Sequence, residues 1–228
     1  MQPFFQEELD KLRKRLSKMN MLVTLQLENS SRSLSNTEFD ISDIALKNEN
    51  RIDKLDLKID KLCQRIFALA QPVATDLRFI MSSLRIANEI ERIGDIAFDV
   101  ISRSETVRPF QETLNEYQVA SIFSEVINLS RQSEEAYANN NSDLAREIIT
   151  GCKKTEESCK SSFNEVIAKM TQKSQVILIA TDLILILRDL ERITNHIENI
   201  AESVVFIAEG KRMRHAGEMN AEQKERES

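Results

Sequence analysis

The chain has no tryptophan, and its 228 residues include only 4 Gly, 3 Pro and 3 Cys. So few Gly and Pro leave little material for the tight turns of a β protein of this length. The cysteines, Cys63, Cys152 and Cys159, are odd in number and form no CxxC pair. That argues against a disulfide framework and for a reducing compartment. No apolar run is long enough to span a bilayer; the longest, around Val176–Leu187, is interrupted by Asp182. The first residues, Met1-Gln2-Pro3-Phe4-Phe5-Gln6-Glu7-Glu8, lack the basic start and apolar core of a signal peptide. There is no phosphate-binding loop, no nucleophile elbow and no Ser-His-Asp arrangement, which disfavours an enzyme. A net charge of −6 argues against a general nucleic-acid binder. The expectation is a soluble, cytoplasmic protein.

What the chain does contain is helix-forming: 41% hydrophobic and 30% charged residues, dominated by Leu, Ile, Glu, Lys and Arg. Leu9, Leu12, Leu16, Met19 and Val23 recur at steps of three and four, the helical period. Ile52, Leu55, Ile59, Leu62, Ile66 and Leu69 continue the pattern. Ile179, Leu183, Ile186, Leu190, Ile193, Ile197, Ile200 and Val204 form a third stripe. Helices are predicted near 4–35, 40–70, 73–103, 110–138, 142–171 and 175–209. Pro72 and Pro109 mark starts, and Gly210 marks a C-terminal cap. Residues 211–228 read as a polar tail that frays.

The plan repeats. Glu91-Arg92-Ile93 returns as Glu191-Arg192-Ile193, and Asp40-Ile41-Ser42-Asp43-Ile44-Ala45-Leu46 resembles Asp143-Leu144-Ala145-Arg146-Glu147-Ile148-Ile149. Long helices with short connections pack as antiparallel neighbours. The predicted fold is therefore all-α, two tandem three-helix bundles related by internal duplication, with repeats at 1–106 and 107–210.

In both halves an apolar stripe turns acidic at the matching step. Leu77, Ile80, Leu84 and Ala87 lead to Glu91, and Ile177, Ala180, Ile184 and Leu187 lead to Glu191. Asp95 lies four residues after Glu91, so the two carboxylates share a helix face, and Glu49 and Asp53 repeat the spacing on the preceding helix. Like charges so placed repel unless a cation bridges them or arginines neutralise them; Arg51, Arg92 and Arg192 are the candidates for neutralisation. Oxygen-only ligands suit magnesium, calcium, manganese or iron better than structural zinc. A ferritin-like di-iron centre needs Glu-x-x-His pairs, and His196 stands five residues after Glu191, so that motif is absent. The Cys152/Cys159 pair reads as core thiols. Lys211-Arg212-Met213-Arg214-His215 reads as a solvated segment rather than a membrane contact.

Gln71-Pro72-Val73-Ala74-Thr75-Asp76-Leu77-Arg78, followed by Asn88-Glu89-Ile90-Glu91-Arg92-Ile93-Gly94-Asp95, resembles the PhoU family. Leu190-Glu191-Arg192-Ile193-Thr194-Asn195-His196 and Asn199-Ile200-Ala201-Glu202 carry the likeness into the second half, so that it covers roughly residues 6–210. The resemblance implies a cytoplasmic, non-enzymatic negative regulator of phosphate uptake and phosphate homeostasis, often a homodimer. It implies binding to the phosphate ABC transporter ATPase and to a phosphate-sensing histidine kinase, with membrane contact only through those partners. It also implies metal clusters on Glu/Asp-x-x-x-Asp motifs, with iron, manganese, magnesium or zinc as the ion. Glu49, Asp53, Glu91 and Asp95 keep that pattern in the first half. Glu191 and Asn195 keep it incompletely in the second, where Asn195 replaces the family's Asp and Cys152 falls at the place of Glu49. Fewer carboxylates weaken a hard-cation site, so the first-half site is expected to dominate. The competing reading is a carboxylate-bridged metal-binding or metal-storage helical protein.

Overall fold

The structure, a computed structural model, describes residues 2–35, 41–70, 72, 74–170 and 177–211. They form seven helices and no strand: α1 (Gln2–Ser35), α2 (Ser42–Ala70), α3 (Ala74–Val107), α4 (Gln111–Glu116), α5 (Val119–Ala138), α6 (Ser142–Met170) and α7 (Ile177–Glu209). α1, α2 and α3 pack on one another as the first bundle; α5, α6 and α7 form the second. The bundles join through α3 against α7 and α1 against α5, which leaves α2 and α6 on the outer flanks. Among the described residues no helix is long and apolar enough to cross a membrane.

The stripes read from the sequence form the core. Leu12, Leu16, Met19 and Val23 of α1, Ile52 and Ile59 of α2, and Leu183 through Val204 of the α7 stripe are buried in one continuous cluster. Leu69 of α2 and Leu77 of α3 are exceptions, at 58% and 41% exposed.

Two boundaries differ from expectation. The helix predicted over 110–138 is two helices: Gln118 takes a left-handed conformation (φ 54), which breaks the chain between α4 and α5. The buried Ser162 hydroxyl donates to the Tyr117 carbonyl at 3.0 Å, so the interrupted backbone is satisfied by α6. No glycine or proline marks the spot, so sequence patterning passed over it. α3 runs to Val107, one turn further than predicted. Gly210, with φ 71 and its N–H on the Phe206 carbonyl at 2.9 Å, closes α7 as expected. The starts predicted at 40, 73 and 175, the end at 171 and the tail from 212 onward fall outside the described residues.

Where the bundles meet, α3 and α7 run antiparallel, and each sends an acid across to the other. Glu89 of α3 accepts from Asn199 Nδ2 (3.1 Å) and lies 2.7 Å from His196 Nδ1, which donates to the ionised carboxylate. Asp189, its counterpart one hundred residues on, accepts from Arg103 Nη1 at 2.6 Å and from Arg192 Nη1 at 3.2 Å. The exchange of roles between positions 89 and 189 is that of a pseudo-two-fold axis. A second polar seam joins α1 to α5, where Asn20 Nδ2 donates to the Ser130 carbonyl (3.1 Å) and the Thr24 and Ser130 hydroxyls bond at 3.0 Å.

Burial raises the Asp189 pKa despite both arginines, so removing one leaves a poorly compensated buried acid. Arg103→Ala is expected to lower unfolding stability by about 2 kcal/mol. Arg131→Ala, which removes the more exposed pair with Glu28, should cost less than about 1 kcal/mol. Urea unfolding followed by circular dichroism distinguishes the two.

Candidate functional site on the acidic faces

In the first repeat α2 and α3 bring acids together along their shared edge. Glu49 hydrogen-bonds Asp95 and lies within the field of Asp53 and Glu91. Gly94 permits the approach: a Cβ there would stand 3.2 Å from Ile52 Cδ1 and 3.5 Å from Glu49 Oε2, so a side chain would press directly on α2. Behind the acids, α1 supplies a buried amide. Gln26 Nε2 bonds the Ala45 carbonyl (3.2 Å) and reaches Glu49 Oε2 (3.5 Å), and Asn48 Nδ2 bonds Gln26 Oε1 (3.0 Å) and the Leu22 carbonyl (2.7 Å).

The electrostatics follow from crowding. Burial first, then the hydrogen bond and charge of Asp95, with Asp53 and Glu91 beyond, push the Glu49 pKa up to about 8. Glu91 is raised by burial and by Asp95, with Arg92 opposing. Asp56 is raised by burial and by Asp60 and Asp53. Arg92 alone of the three candidate arginines reaches the predicted acids, at 3.4 Å from Glu91 and 3.3 Å from Asp95, and it is itself largely exposed. Arg51 forms no salt bridge among the described residues, and Arg192 pairs with Asp189.

The second repeat is built differently. Glu191 is held by Arg188 at 2.8 Å, Glu156 is paired with Lys160, and Asn195 is exposed. Cys152 and Cys159 are buried, and burial pushes both thiols up to about 12, so they are protonated core residues as the sequence suggested. At the repeat offset these thiols stand where α2 has Glu49 and Asp56.

The structure thus brings Glu49, Asp53, Glu91 and Asp95 into one neighbourhood and leaves Glu191 and Asn195 in another, already neutralised one. Among the described residues no group of three or more His, Cys, Asp or Glu is placed to hold a metal ion. The donor chemistry in the first repeat suits a hard cation, because the shared Glu49–Asp95 hydrogen bond relieves a repulsion that a cation would also relieve. The second repeat does not fit: Glu191 and Glu156 each have their own cation. Sequence reasoning missed Asp56 and Asp60, although 49, 53, 56 and 60 lie at steps of four, three and four along one face. It also missed Gln26, which only tertiary packing delivers, and the Glu89–His196–Asn199 cluster between the repeats.

The PhoU domain model matches residues 16–104 and again 119–204, once on each bundle. The chain belongs to the PhoU family. It is 31% identical over 214 residues to the phosphate-specific transport system accessory protein PhoU homolog of Pseudomonas aeruginosa, covering 93% of this chain and 88% of that protein. It is 27% identical over 175 residues to the phosphate-specific transport system accessory protein PhoU of Escherichia coli, covering 76% and 72%. The crystal structure of PhoU from Pseudomonas aeruginosa superposes with a TM-score of 0.84 at 30% identity, over 91% of this chain and 100% of that one. PhoU from Streptococcus pneumoniae, at 20% identity and a TM-score of 0.82 over 92% and 100%, shares the fold. The all-α, duplicated three-helix architecture expected from the sequence is therefore the PhoU fold.

The raised Glu49 pKa sets a pH dependence in metal-free protein. Folding favours the protonated form, so its contribution is complete below the ordinary value of 4.5 and is lost as pH rises through about 8. The melting temperature of protein stripped with chelator should fall between pH 5 and 8, and Glu49→Gln should flatten that fall. An unchanged slope in Glu49→Gln would remove Glu49 as its source.

Proposed function

We propose that this chain is a non-enzymatic, cytoplasmic regulator of phosphate uptake and phosphate-starvation signalling. It acts by binding the phosphate ABC transporter ATPase and the phosphate-sensing histidine kinase, with a homodimer as its working form. The observation that carries the reading is the doubled PhoU match across both bundles, together with a 31% identical relative, over 93% of this chain, that is named an accessory protein of phosphate-specific transport. The fold suits such work, since long helices offer broad side faces to partner proteins. Affinity purification from phosphate-rich and phosphate-poor cells should recover the ATPase and the kinase; recovering neither would count against this function.

Within this reading the first-repeat acids are the metal site, with Glu49, Asp53, Glu91 and Asp95 as oxygen ligands to iron, manganese or magnesium, or less favourably zinc. The bound ion would supply positive charge that holds the four carboxylates ionised together. Glu191 and Asn195 form at most a weaker second site, given the Arg188 pair and the missing carboxylate. Elemental analysis of purified protein should show metal lost in Asp95→Ala and retained in Glu191→Ala. Equal loss in both variants would contradict the asymmetry.

A further inference from the structure

The first repeat carries a charged face that the second lacks. On α2, Lys47, Arg51, Lys54, Lys58, Lys61 and Arg65 recur at steps of four and three, which is one side of a helix, and all are exposed. At the repeat offset, Lys54, Lys58, Lys61 and Arg65 become Glu157, Ser161, Asn164 and Ala168 on α6. α1 runs beside the stripe and adds Lys11, Lys14, Arg15 and Lys18, a stretch with no acid between 11 and 18. The two lines are stitched where Arg15 Nη1 donates to the Lys58 carbonyl at 2.5 Å. Lys11, Arg15, Lys58, Lys61 and Arg65 border an open groove of about 270 Å³ along this seam. Among the described residues, Arg65 alone of the α2 stripe forms a salt bridge, to Glu8, which it shares with Lys11. The α2 acids Glu49, Asp53 and Asp56 interact instead with one another and with Glu91 and Asp95 of α3.

Exposed apolar side chains accompany these cations. Met21 (66%) and Leu25 continue the exposed side of α1 beyond Lys18, and Leu57 (58%) stands beside Lys54 and Lys61 on α2. Cations strung along about 27 Å of helix do not converge as a site for a small anion requires. Between Lys11 and Leu25 and between Lys47 and Arg65 there is no aromatic side chain on which the bases of a nucleic acid would stack. A plane of anionic headgroups over hydrocarbon satisfies both kinds of side chain. We propose that the α1–α2 face of the first repeat binds an anionic lipid bilayer directly, with its cations on headgroup phosphates and Met21 and Leu57 at the acyl boundary. Membrane contact then does not depend on protein partners.

The test is cosedimentation of the full chain with vesicles of phosphatidylglycerol and phosphatidylcholine, against vesicles of phosphatidylcholine alone. Binding should require phosphatidylglycerol and weaken with salt. The triple variant Lys54→Glu/Lys58→Glu/Lys61→Glu, and its Gln equivalent, should bind at least about tenfold more weakly. Lys153→Glu/Lys154→Glu on α6 should bind as the parent does. Met21→Ser/Leu57→Ser should weaken binding severalfold, and a helical circular dichroism spectrum verifies each variant. The proposal is overturned if phosphatidylglycerol has no effect, or if the α6 variant loses as much binding as the α2 triple. It is equally overturned if the Met21/Leu57 variant binds normally while an RNA oligonucleotide displaces the vesicles, which would assign the face to a soluble polyanion. Because the vesicles contain no protein, the result is independent of whether the transporter ATPase or the kinase is recovered.

Discussion

The packing of α3 against α7 is the constraint on which the rest of the molecule depends. Ile86, Ile90, Ile93 and Ala97 on one helix, with Ile186, Leu190, Ile193 and Ile197 on the other, are essentially sealed from water. Burial on this scale supplies most of the association energy between the bundles. The polar pairs that cross from Glu89 and Asp189 contribute less net energy, because desolvation offsets their Coulombic gain. They do restrict register: a slide of one turn would leave Asp189 buried without Arg103. The bundles are thus held by apolar area and aligned by charge.

That alignment decides what the outer helices can do. With α3 committed on one side to α7 and on another to α1, its remaining edge meets α2, and Gly94 lets the two helices come close enough for Glu49 and Asp95 to share a hydrogen bond. In the second bundle Thr194 stands at the matching place, its hydroxyl turned back to the Leu190 carbonyl at 2.8 Å. The neighbouring helix there presents Cys152 and Cys159. Two sites with the same scaffold therefore differ in charge, one crowded with mutually repelling carboxylates and the other backed by buried thiols, with Glu191 neutralised by Arg188.

Much of this was legible in the sequence, because burial leaves a periodic trace. The stripes of α1, α2 and α7 read directly as core, and the Glu-Arg-Ile repeat disclosed the duplication. Glu91 and Asp95 were visible as a pair at helical spacing, and Glu49 and Asp53 as their partners one helix earlier. Other features left no local trace. The break at Gln118 is stabilised by Ser162, 44 residues downstream, so nothing around it announces a turn. Gln26 reads as one more polar residue on α1 until Asn48 and Glu49 arrive beside it. Glu191, by contrast, looked equivalent to Glu91 although a local trace was there: Arg188 stands three residues before it, where the first repeat has Asn88, and engages its charge.

The pseudo-two-fold arrangement has a consequence in mass action. In a dimer of separate bundles, an interface of this kind would dissociate on dilution, and its folded fraction would depend on concentration. Joining the halves through the short segment around α4 makes their association intramolecular, so the local concentration of each half seen by the other is fixed by the tether. The pairing then persists at any abundance of the protein. It also frees the two copies from identity: a substitution such as Glu to Cys is made once rather than twice, and one bundle can abandon a charge that the other retains.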